Sequence, residues 1–142
     1  MPCTHLTLTP TALSVRRGRH LVMDTLPGCG FDELIDVAAL LVSEALTNAV
    51  VHANTEVELT ICCSHRLLIC VRDHDATTVL TPVAAAGLQS LLTTPDLDAE
   101  SGRGLALIAT LSDEWGIWRS GDGKLLWFTL VADTEHQHLS AG

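Results

Sequence analysis

LLVSEALTNAVVHA, residues 40–53, reads as a core helix with three residues that do not belong in a core. Glu44, Asn48 and His52 interrupt a run of Leu, Val and Ala, each four positions after the last. Steps of four advance ~400° around a helix, so these side chains form a slowly twisting stripe. Around it, Leu34, Val37, Ala38, Leu41, Ala45, Leu46, Ala49 and Val50 recur at helical spacing, which predicts a helix over about residues 32–53. Asp32, Glu33 and Asp36 sit at its positive end, and Asn54 is a stop signal. A helix apolar almost all round belongs between layers. A carboxylate and an amide buried there need partners, and a ligand or a metal ion can supply them. For any one of the three alone, a solvent-facing position is the plainer reading.

The rest of the chain can house such a helix. Its 142 residues fit one domain, and 47% are hydrophobic with mean hydropathy +0.32. Eight basic against seventeen acidic residues give a net charge of −9. That argues against a nucleic-acid or anionic-membrane surface, so a phosphate ligand must be held by a local device. The cysteines number five, Cys3, Cys29, Cys62, Cys63 and Cys70, with no CxxC. Odd number and apolar surroundings favour buried thiols over a zinc site or a disulfide framework, and a cytoplasmic location. The N-terminus, MPCTHLTLTP, lacks the pattern of a secretory signal, and no apolar run is expected to span a membrane.

HLTLT (5–9) alternates as a strand does, and Thr9-Pro10 can open a helix through about residue 25. That helix carries Arg16, Arg17 and Arg19, either a solvated face or a docking patch for an acidic partner. PGCGF (27–31) is a turn. EVELTICC and RLLICVRD form a hairpin around 64–66. PVAAAGLQSLL has helical composition, and TTPDLDAESG is loop-like. GRGLALIATLSDEW opens with glycines and becomes an apolar helix. WGIWRS and KLLWFTLVA are strands joined at GDGK (121–124), and residues 133–142 form a mobile tail after a domain over 1–132. This order predicts an α/β (α+β) two-layer sandwich, a mixed, mostly antiparallel sheet with helices on one face.

Four further places carry candidate chemistry. Asp73 ends an apolar strand, where a carboxylate projects into a crevice or merely starts a turn. SGRG (101–104) precedes LALIATL, and glycines at a helix start let backbone N–H groups meet an anion, or simply make a turn. Thr129 lies in the last apolar strand, where Thr is at home without any function. The pair in HQH (136–138) has metal-ligand chemistry but sits in the tail.

SEALTNAVVHA, a strand ending in Asp73, SGRGLALI and GKLLWFTL, in that order, resemble the GHKL, or histidine kinase-like, ATP-binding domain with its Bergerat-type fold. The chain looks most like the single-domain anti-sigma-factor serine/threonine kinases. The resemblance covers roughly residues 9–131. It implies that Asn48 binds Mg²⁺, a hard cation suited to an amide oxygen. It implies that Glu44 is the general base of transfer to a protein hydroxyl or water. His52 would support the loop after the helix or approach the phosphates. Asp73 would read the adenine amine, with Asp75 beside it. Gly102, Arg103, Gly104 and Leu105 would cradle the phosphates, and Thr129 would lie near the adenine. Residues 75–102 would form a lid. One departure is plain: the usual Asp-x-Gly reads Asp73-His74-Asp75 here.

The resemblance also implies ATP and Mg²⁺ as cofactors. It implies an anti-sigma-factor antagonist and a sigma factor as partners, and a homodimer, with no nucleic acid and no membrane. A non-catalytic nucleotide-binding module and a simple ATPase are the alternatives.

Overall fold

The computed structural model describes residues 2–53, 55–74 and 99–132. The elements run β1 (Cys3–Leu8), α1 (Ala12–Thr25), 3₁₀ turns at Leu26–Cys29 and Asp32–Leu34, and α2 (Ile35–His52). Then come β2 (Val57–Cys63), β3 (Leu67–Asp73), α3 (Ala99–Leu111), β4 (Glu114–Ser120) and β5 (Gly123–Leu130). The tail, the expected lid as far as residue 98 and the helix-like stretch 82–92 lie outside the described residues, while 99–102, expected as loop, open α3.

The strands make one sheet in the order β1-β2-β3-β5-β4. All four pairings among the described residues are antiparallel, in keeping with the mostly antiparallel sheet expected from the sequence and without a parallel pair among them. The two hairpins β2-β3 and β4-β5 meet through β3 and β5, which puts β4 at an edge. Alternation sets the faces. Val57, Leu59 and Ile61 of β2, Leu67, Ile69 and Val71 of β3, and Leu126, Phe128 and Leu130 of β5 are buried on one of them. The helices cover that face, as expected: these side chains form one core cluster with Val22 of α1, Leu41, Val42 and Leu46 of α2, and Ile108 of α3. Each such side chain withdrawn from water contributes about 2 kcal/mol before entropy is counted.

Helix α1 begins two residues later than Thr9-Pro10 predicts. Thr11 flanks it, and Ser14 Oγ donates to the Thr9 carbonyl at 2.6 Å, which ties strand end to helix start. Its three arginines are exposed, and Gly18 faces α2, where a Cβ would meet Leu46 Cδ1 at 2.1 Å. Helix–helix contact this close requires glycine there.

By length and hydropathy alone, the stretch Asp32–Val51 could cross a membrane, contrary to the expectation from sequence: 20 residues with mean hydropathy 1.8. Its packing is that of a core helix, with Leu41, Val42, Ala45 and Leu46 fully buried between α1, α3 and the sheet.

The cysteine expectation also needs correction. Cys3 and Cys62 stand directly opposite on β1 and β2 and form a disulfide. Cross-strand neighbours are within bonding reach of each other, but residues 59 apart in sequence give no local sign of it. Cys29, Cys63 and Cys70 are free. Burial, helped by the Cys29 thiol beside it, pushes the Cys63 thiol up to about 12, so it stays protonated at neutral pH.

Candidate nucleotide site

Three elements converge at one end of the sheet. Helix α2 finishes at His52, and β2 starts five residues later at Val57. Val57 pairs with Asp73, the last residue of β3, and Asp73 pairs with Lys124 at the start of β5. The backbone N–H of His74 donates to Thr55 Oγ1 at 3.0 Å, which fastens the end of β3 to the loop after α2. Helix α3 packs on α2 and leads into β4, whose first residue, Glu114, pairs at the far end of the sheet with Thr129. The start of α3 therefore returns to the Asp73 end.

On α2 the polar positions divide into two kinds. Ser43 and Thr47 spend their hydroxyls on the helix itself, donating to the carbonyls of Ala39 and Ser43 at 2.8 and 2.7 Å. Glu44 and Asn48 are half-buried and make no hydrogen bond or ion pair among the described residues. Gly104 of α3 lies against Glu44: a Cβ on that glycine would stand 3.0 Å from Glu44 Oε2 and 3.4 Å from its Cβ. Two stretches some sixty residues apart are thus in contact, the polar stripe and the GRG segment.

The GRG segment does not precede α3, as the sequence reading had it. The helix is already formed at Ala99, so Gly102 and Gly104 lie in its first two turns. By helix geometry the N–H groups without an intrahelical acceptor end at Ser101, so those of Gly102 and Gly104 are both spent within the helix. Gly104 contributes close approach to α2 instead. Leu105 packs against the core.

At the strand end, Asp73 is 1% exposed. Lys124 Nζ lies 3.5 Å from Asp73 Oδ2, and the lysine side chain is only 11% exposed. Gly123 makes this rung possible. Its φ is +149°, and a Cβ there would meet the Asp73 carbonyl oxygen at 2.1 Å. Sequence reasoning missed Lys124. The signal available was a lone cation entering an otherwise apolar strand directly after a Gly-containing turn.

Thr129 is not part of this constellation. It pairs with Leu68, five rungs from the Asp73–Lys124 pair. The odd separation also puts it on the opposite face of the sheet. Its Oγ1 is buried with no hydrogen-bond partner among the described residues. A groove of about 280 Å³ on that outer side, at the β4-β5 turn, is lined by Arg72, Trp118, Gly123, Lys124 and Leu125. Asp75 lies outside the described residues, as do the side chains of His52 and Arg103.

A histidine kinase-like ATPase domain model matches residues 8–130. The chain belongs to the histidine kinase-like ATPase family. No curated protein matches it. The family supplies ATP binding and a regulatory ATPase or kinase-like role, and its fold is consistent with the antiparallel sheet and three helices described above.

The donor set suits the magnesium nucleotide that the family implies. Mg²⁺ takes one or two protein oxygens, keeps waters and takes the rest from phosphates. Asn48, an uncommitted amide one turn after Glu44 on α2, offers such an oxygen. Among the described residues no group of three or more His, Cys, Asp or Glu could hold a metal ion by itself. A buried carboxylate at a strand end is the right acceptor for an exocyclic amine.

Proposed function

We propose that this protein is an Mg²⁺–ATP-dependent regulator of the anti-sigma type. It would phosphorylate a serine or threonine on an anti-sigma-factor antagonist and sequester a sigma factor in the alternate state. It would act in the cytoplasm as a homodimer. The observation that carries this reading is Glu44. It lies one turn before Asn48, against Gly104, with no cation among the described residues to hold it. A nucleotide-binding module needs no carboxylate there, and a general base does.

In this reading Glu44 accepts the proton of the acceptor hydroxyl as that oxygen bonds to the γ-phosphorus. The bond from the γ-phosphorus to the bridging oxygen breaks, and ADP leaves. Asn48 would hold the ion, which when bound supplies charge neutralisation to the phosphates, and Asp73 would hold the adenine. Exposed Arg16, Arg17 and Arg19 on α1 supply a basic face for an acidic partner, within a chain of net charge −9.

A second reading, a regulator that binds nucleotide without transferring phosphate, is favoured by Asp73-His74-Asp75 standing in place of the usual Asp-x-Gly. One experiment separates the two. Partners are recovered from native lysate with and without Mg²⁺–ATP, and phosphoserine and phosphothreonine are mapped on them with wild type and Glu44→Ala. Transfer by wild type and its loss in a variant that still binds ATP supports the kinase. Equal transfer by both removes Glu44 as the base, and no transfer by either supports the binding module.

A further inference from the structure

The inner rungs between β3 and β5 are Leu67–Leu130, Ile69–Phe128, Val71–Leu126 and finally Asp73–Lys124. Three are apolar, and the fourth is an ion pair almost withdrawn from water. A buried ion pair is a poor way to strengthen a sheet, because desolvating both charges offsets most of their attraction. An apolar fourth rung would continue the core at no such cost. Lys124 is also unusually placed for a lysine, since its side chain is mostly buried against Asp73 and not led out to solvent. Asp73 is its only ion-pair or hydrogen-bond partner among the described residues. An ammonium has three donors, so Lys124 retains hydrogen-bonding capacity beyond its contact with Asp73. Gly123 fixes the rung by letting β5 press on the Asp73 backbone.

The result is a donor and an acceptor side by side at the Asp73 end of the sheet, where α2 also finishes. We propose that Lys124 is a second base-reading residue: it donates to the ring nitrogen N1 of adenine while Asp73 accepts from the neighbouring exocyclic amine. This rests on the nucleotide-binding reading above and adds to it a residue that sets base specificity. An adenine edge presents a donor and an acceptor in adjacent places, and the Asp73–Lys124 rung presents their complements. Such a site discriminates against an analogue that lacks one of the groups, because the analogue leaves a buried ammonium without a bonding partner on the base.

The test is a set of binding titrations in Mg²⁺ with ATP and with 1-deaza-ATP, in which N1 is replaced by C–H. Wild type is expected to bind ATP about tenfold more tightly than the deaza analogue, the size of one charge-assisted hydrogen bond. Lys124→Met is expected to bind the two with equal affinity. Equal affinities in wild type overturn the proposal while leaving the nucleotide site intact, and this arm needs no variant to fold. A preference retained in Lys124→Met also overturns it. Wild type that binds neither nucleotide overturns the proposal together with the reading beneath it.

Discussion

Thr129→Val should stabilise this protein and leave its nucleotide affinity alone. Thr129 is 9% exposed, and its hydroxyl has no hydrogen-bond partner among the described residues. A buried hydroxyl without a partner costs about 1–3 kcal/mol, since its bonds to water are lost and not replaced. Valine keeps the branched shape and the strand preference and exchanges the hydroxyl for a methyl. The expected gain is about 1–2 kcal/mol. For a chain of this size that raises Tm by roughly 3–8 °C. Urea unfolding with an unchanged slope measures the first effect, and a calorimetric ATP titration measures the second. The side chain is five rungs from Asp73 on the other face, so ATP affinity should stay within about twofold. Loss of stability would show that the hydroxyl is satisfied. A tenfold loss of ATP affinity would refute the face assignment and restore Thr129 to the adenine site.

Other outcomes follow from the same geometry. Gly123→Ala should lower stability by about 2–4 kcal/mol, because it combines an unfavourable φ with a Cβ pressed on the Asp73 carbonyl. Wild-type urea stability in that variant would contradict the close approach. Reduction of the Cys3–Cys62 disulfide, or Cys62→Ser, should cost about 2–4 kcal/mol, since the bond closes a loop across a sequence separation of 59. The check is the urea midpoint with and without reductant, and an unchanged midpoint would show that the bond contributes nothing to stability.

Local pattern and non-local pairing were not equally legible in the sequence. The stripe Glu44–Asn48–His52 and the two hairpins were visible because a helix and a short turn write their period into neighbouring residues. The layer arrangement followed from the order of elements. Thr129 was placed beside the adenine because strand membership alone does not say which face a residue takes. Parity is set by register, and here it is counted from the Asp73–Lys124 rung, whose partners are 51 positions apart. The same gap hid Lys124, which looked like the last residue of a turn until β5 paired with β3. Cys3 and Cys62 were read as separate thiols for the same reason, since nothing within either strand announces its neighbour. The glycines of GRG were taken as the opening of α3 because glycine usually punctuates a helix. Here one of them buys close packing on Glu44 instead.

The central claim is that Asn48 belongs to a magnesium nucleotide site at the end of α2. Calorimetric titration of wild type and Asn48→Ala with ATP, each with Mg²⁺ and with chelator, tests it most directly. The account predicts Mg²⁺-dependent binding by wild type and a loss of at least about tenfold in Asn48→Ala, equivalent to about 1.4 kcal/mol. Equal ATP affinity in the two proteins, with the same dependence on Mg²⁺, would contradict it.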